Sequence, residues 1–144
     1  MSVYYATLQP ADEGGFVVRF PAIPGAATQG ENVAQALVMA ADCLRTHLLG
    51  LMVMGESIPE PGVKPRGRMV RAITLPALDG AKIELYRTFR ASGMKKARLA
   101  AGMGIPRAHV DRLFDLNHAS RLDQLEAACR VLGKTLVVEL KDAA

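Results

Sequence analysis

The chain has 144 residues, 50% hydrophobic and 22% charged, which is enough apolar material to bury a core and too little chain for a large two-lobed enzyme. The balance also excludes an intrinsically disordered chain. Charge is divided along the sequence: residues 1–63 hold 2 Lys/Arg against 6 Asp/Glu, whereas residues 64–144 hold 16 against 8. This polarity predicts partners of opposite sign, with nucleic acid opposite the basic half.

The N-terminus has no basic-then-apolar leader, so a cytoplasmic protein is expected. Val3-Tyr-Tyr-Ala-Thr-Leu8 is β-branched and aromatic, and Phe16, Val18 and Phe20 alternate with Val17 and Arg19, the period of a half-buried strand. Asp12-Glu-Gly-Gly15 between them supplies the positive φ of a tight connection, so strands over 3–8 and 15–20 should pair antiparallel. Pro21-Ala-Ile-Pro-Gly25 ends the second strand, and a short third strand is expected around Ala26 to Gln29.

Asn32 is a good N-cap, and Val33, Ala36, Leu37, Ala40, Leu44, Leu48 and Leu51 recur at three- and four-residue steps after it. Asp42, Arg45 and His47 argue against a membrane span over Val33 to Met54. Val38, Leu49, Met52, Val53 and Met54 widen the apolar surface toward the C-terminal end, as a buried helix end or a partner patch would. Met39, Met52 and Met54 are expected to fill core gaps. Cys43 and Cys129 are far apart and belong to no Cys/His cluster, so no disulfide framework, metal site or cofactor is expected.

Proline-rich Gly55 to Gly67 reads as an extended connection, and Met69 to Leu75 as a strand of the N-terminal sheet. The boundary is then expected at 76–80, separating a domain over 1–75 from one over 81–144. Beyond it the pattern turns helical: Ile83, Tyr86 and Phe89 closed by Arg90 and Gly93, then Lys95 to Gly102, Pro106 to Leu116 and Arg121 to Leu132. Ser120 and Asp123 suggest a capping box and Gly133 a stop. Thr135-Leu-Val-Val-Glu-Leu140 reads as a final strand that must pair with another, one from a second subunit included.

Leu99, Ala100, Met103, Gly104, Ile105, Val110 and Leu113 fall where a helix-turn-helix needs small, turning and locking residues. Residues 82–121 hold nine Lys/Arg against three Asp/Glu, the charge of a DNA-facing unit. Arg107 and Arg112 are the base-reading candidates, because a guanidinium bonds both guanine acceptors. Lys95, Lys96, Arg98 and Arg121 suit phosphates, and His109 either touches DNA or packs beside it. Asp111 either orients Arg107 or forms an exposed pair. No GxSxG, GxxxxGK[ST] or HExxH motif is present, and Asp12, Glu13, Glu31 and Asp42 do not converge as a two-metal nuclease requires.

Tyr5-Ala, Gly14-Gly-Phe-Val-Val-Arg-Phe-Pro21, Pro24-Gly25, Thr28-Gln-Gly30, the Ala36-Leu37/Ala40 helix and Ile58-Pro59 resemble the N-terminal domain of HicB antitoxins. Leu99-Ala100, Val110-Asp-Arg-Leu113, Ser120-Arg-Leu-Asp-Gln-Leu125 and Leu132-Gly133 resemble the helix-turn-helix that many members carry. The resemblance implies an α+β chain: a partially degraded ribonuclease-H-like domain that blocks a HicA-type RNA-cleaving toxin, then a helix-turn-helix domain that represses the operon. It also implies operator DNA and a homodimer or higher oligomer as partners, and no enzyme activity. Ala22 stands where an acid is frequent, and Pro106 where Ser or Thr often caps the recognition helix. The readings that compete with it are a stand-alone repressor with a ligand-sensing N-terminal domain and an active metal-dependent nuclease.

Overall fold

The glycine pair turns the chain as expected. In the computed structural model, which describes residues 3–143, Gly14 and Gly15 take φ of 93° and 72° between strand β1 (Tyr4–Pro10) and strand β2 (Phe16–Arg19). Strand β3 (Ala27–Gly30) pairs with β2, and strand β4 (Val70–Ile73) returns to the other side of β1. The result is an antiparallel sheet ordered β3-β2-β1-β4. In register, Thr7 lies opposite Arg19 on one side and Val70 on the other.

Tyr4, Ala6, Leu8, Val18 and Ile73 are buried. Helix α1 (Val33–Val53) covers the sheet through Ala36, Ala40, Leu44, Leu48 and Met52, each one helical turn from the next. Asn32 Oδ1 accepts the Gln35 amide at 2.8 Å, which satisfies one of the first turn's loose donors, and Gln35 Oε1 accepts the amide of Glu31 just before the cap at 2.5 Å. By length and composition α1 could cross a membrane; here one face is committed to the sheet. Of the three methionines expected to fill gaps, only Met52 is buried, and Met39 and Met54 are exposed. They lie off the α1 stripe that meets the sheet.

The α+β class stands, but the segment expected as a linker is not one. Helix α2 (Ala77–Ser92) begins immediately after Pro76, so 77–80 is its first turn. The reason is tertiary: Asp79 in that turn is buried and ion-paired with Arg45 of α1. Tyr86 Oη donates to the Glu56 carbonyl at 2.7 Å, and Arg87 bonds Tyr4 Oη, Glu60 and the Pro59 carbonyl. The proline-rich connection is thereby strapped to α2. One contiguous set of buried side chains runs from Tyr4 to Ala128.

The division of charge also changes. Lys64, Arg66, Arg68 and Arg71 enter with β4 and the loop before it, so residues 1–75 hold six Lys/Arg and six Asp/Glu. The acidic excess is confined to the segment before that loop.

Helices α3 (Lys96–Met103), α4 (Arg107–Leu113) and α5 (Leu122–Val131) complete the order. The capping box expected at Ser120 is not formed: α5 starts one residue later, Arg121 is its N-cap, and Ser120 Oγ donates to the Arg112 carbonyl at 3.4 Å. Thr135 to Leu140 is not a strand in the single chain. The sheet's free edges belong to β3 and β4, and among the described residues the helical half holds no strand to pair with this segment.

Candidate nucleic-acid interface

Helix α3 closes on Gly104, φ 70°, where the Gly104 amide donates to Ala101 and the Ile105 amide to Ala100 at 3.1 Å. This is the paired closure that a left-handed glycine permits. Ile105 and Pro106 then turn the chain into α4, with Pro106 as its N-cap. Leu99 and Ala100 of α3 and Val110 and Leu113 of α4 are buried together with Leu125 and Ala128 of α5. Phe114 follows α4 and packs edge-on against Tyr86 at 5.5 Å and tilted against Phe89 at 5.0 Å, which seats α4 on α2.

With Val110 and Leu113 turned inward, Arg107, Ala108, Asp111 and Arg112 form the outward face of α4. Lys95 and Arg98 are also exposed, beside or on α3. Among the described residues Lys95, Arg98, Arg107 and Arg112 enter no salt bridge, so their charge is available to an anion. Lys96 bonds Asp111 at 2.7 Å across the two helices, and Arg121 bonds Asp123 at 2.7 Å. Asp111 therefore ties α3 to α4. His109 is half-buried in a small cleft with Met103, Ile105, His118 and Gln124, on the packed side of α4.

Two cations that the sequence reading did not single out as site residues hold this unit in place. Lys82 of α2 is fully buried, and its Nζ donates to the carbonyls of Arg112 at 2.9 Å, Asp115 at 2.7 Å and His118. Arg45 of α1 donates through Nε to Asp79 Oδ2 at 2.8 Å, through Nη1 to Asn117 Oδ1 at 3.0 Å, and through Nη2 to the Leu116 carbonyl. Burial pushes the Lys82 ammonium below the ordinary lysine range; Asp115 and Asp79 pull it back up, and Arg45 adds to the lowering. The signal for Lys82 is its place on the apolar stripe of Ile83, Tyr86 and Phe89: four residues before Tyr86 and seven before Phe89, it faces the core.

Cys43 and Cys129 are half-buried, and desolvation, reinforced by Asp42 and Glu126 respectively, holds both thiols above their ordinary range. The Cys43 thiol donates to the Ala27 carbonyl at 3.7 Å, a contact between α1 and β3. Asp12 and Glu13 lie in the β1–β2 turn, Glu31 just before α1 and Asp42 on α1, all exposed.

Residues 3–84 match a family described as HicB_like antitoxin of bacterial toxin-antitoxin system, a span that ends inside α2. Antitoxin HicB of Escherichia coli (strain K12) is 38% identical over 133 residues, covering 92% of this chain and 95% of that protein. Antitoxin HicB 1 of Photorhabdus laumondii subsp. laumondii is 34% identical over 138 residues, 96% of this chain and 86% of that one. Antitoxin HicB of Pseudomonas fluorescens (strain Pf0-1) is 32% identical over 121 residues, with coverage of 84% and 82%. These matches extend well beyond residue 84, into the helices that carry the exposed arginines, and the chain belongs to the HicB-like antitoxin family.

Proposed function

We propose that this chain is a cytoplasmic, non-enzymatic antitoxin that neutralises a HicA-type RNA-cleaving toxin through its sheet unit and represses its own operon through α3 and α4 acting as a helix-turn-helix. The observation that carries the DNA half is the outer face of α4, where Arg107 and Arg112 stand exposed without carboxylate partners. Lys95 and Arg98 flank it as phosphate contacts, with Lys96 and Arg121 in a weaker role because each is already paired. His109 is a packing residue in this reading. The toxin half is supported by the family match over 3–84, and the sheet unit is read as a ribonuclease-H-like fold without a catalytic carboxylate set. Because that unit is balanced in charge, steering of a basic toxin falls to the local acids before residue 63 rather than to a net field.

Reading two half-sites needs two copies, and Thr135 to Leu140 supplies the means of joining them. An antiparallel self-pairing centred on Val138 places Leu136 opposite Leu140, Val138 opposite its counterpart, and Lys134 opposite Asp142. A shift of one residue would set the three apolar side chains on opposite faces and pair Lys134 with Lys141. Leu136 already packs against the helical core, while Val138 is 67% exposed and Leu140 96% exposed in the single chain.

The test uses the full chain with the small protein encoded beside it. Co-expression should restore growth arrested by that protein, the two should co-purify, and the chain should retain duplex DNA from upstream of its own gene over random duplex. Rescue without a complex, or a complex with no preference for that DNA, would overturn the corresponding half of the proposal.

A further inference from the structure

We propose that Arg45 and Lys82 are positioning residues for DNA reading: from α1 and α2 they clamp the segment 112–118 and so set the direction in which α4 presents Arg107 and Arg112. The inference rests on the reading of α3 and α4 as the DNA-binding pair.

Helix α4 spans only Arg107–Leu113, and the chain after it to residue 121 contains no helix or strand. So short an element cannot hold its own orientation, and its last carbonyls need donors from elsewhere. Lys82 answers with all three ammonium protons, one for each of three carbonyls within seven residues of chain. Arg45 holds the same segment from a different helix, with Leu116 and Asn117 on one side of its guanidinium and Asp79 on the other.

Asp79 is 5% exposed and lies one turn before Lys82 on α2, so α1, α2 and the segment after α4 meet at a polar junction that is buried at Asp79 and Lys82 and reaches the surface at Arg45 and Asn117. Apolar contact alone tolerates sliding, whereas directional bonds from a planar guanidinium and a three-donor ammonium admit one arrangement. Bases are read only when the helix enters the groove in register, and phosphates by charge at short range. The junction thus matters to discrimination and not to general attraction for DNA.

The full chain is measured on duplex from upstream of its gene, on the same duplex with two base pairs inserted between the half-sites, and on random duplex. The wild-type chain should prefer the native spacing by about tenfold or more. Arg45→Gln and Lys82→Met should bring that preference to within about threefold while binding to random duplex stays within about twofold. Arg45→Lys keeps a charge toward Asp79 but cannot fork to Leu116 and Asn117 at once, so it should lose the preference even where its melting temperature equals the wild type's. Full preference in Arg45→Lys and Arg45→Gln would overturn the assignment, as would a parallel fall in native and random binding that tracks the folded fraction. Amide exchange at 112–118 without DNA separates the two layers. Faster exchange in the variants, with a wild-type chain indifferent to duplex sequence, would defeat the DNA reading and this inference together, whereas unchanged exchange would defeat the clamp alone.

Discussion

A Cβ on Gly30 would overlap the backbone nitrogen and Cα of Ala36, so the end of β3 and the first turn of α1 meet backbone to backbone. No side-chain rotation relieves such a contact. Gly30→Ala should cost about 3 kcal/mol, at the upper end of what overpacking does, because either the strand or the helix must move. Gly50, inside α1 with open space around its Cα, is the control: Gly50→Ala should gain about 1 kcal/mol from helix propensity. Urea unfolding of the two variants should shift in opposite directions.

Lys82 predicts a pH dependence whose sign follows from its lowered pKa. The unfolded chain holds the proton to higher pH than the folded one, so stability rises with pH across the interval between the lowered folded value and the ordinary lysine value. Cys43, Cys129 and Tyr4 are shifted upward and act in reverse: their contribution is present below their ordinary values and is lost as pH climbs through the raised ones. Unfolding free energies from about pH 8 to about pH 10.5 should therefore climb more, or fall less, in the wild type than in Lys82→Met. Parallel curves would show that the folded protein leaves this lysine unshifted.

Arg107→Ala and Arg112→Ala should each weaken operator binding by about 1 to 3 kcal/mol and relax sequence preference. Lys95→Ala and Arg98→Ala should weaken all sequences alike and lower the salt slope by about one each. Lys96→Ala should do less than either, because its ammonium already bonds Asp111 at 2.7 Å. Equal effects of all five on operator and random duplex would remove the division into readers and anchors.

The strand register is open to cross-linking in a chain with Cys43 and Cys129 replaced by Ser. Val138→Cys should form a disulfide between two copies on mild oxidation, since the proposed pairing puts residue 138 opposite itself. Val137→Cys should not, because the same register sets residue 137 opposite Glu139 and leaves the two added sulfurs a diagonal apart. The reverse pattern, or none in a chain that sediments as a dimer, would place the interface elsewhere.

Much of the fold was legible because its signals are local. The Gly14-Gly15 turn, the β-branched and aromatic run at 3–8, the Asn32 cap and the α1 stripe each depend on residues within a few positions of one another, and each forms where its pattern places it. The assignment of β4 to the N-terminal sheet was legible too, since an isolated strand has to pair somewhere. The exposed arginines of α4 followed from the inward positions of Val110 and Leu113, a matter of helical period alone.

What failed was decided at long range. Pro76 and Gly80 look like a break, but proline is compatible with a helix start and Arg45, 34 positions earlier, ties Asp79 into the first turn of α2. Ser120 looks like a cap, yet its hydroxyl turns to the Arg112 carbonyl. Thr135 to Leu140 forms no strand in the single chain, which leaves open the expected pairing with a second subunit, because composition cannot supply the neighbour whose backbone a strand requires. Lys82 shows the division most plainly. Its place beside Tyr86 and Phe89 on α2 turns it toward the core, a matter of helical period, while the carbonyls that make its burial tolerable come from residues 112, 115 and 118, and only the tertiary fold could bring them to its ammonium.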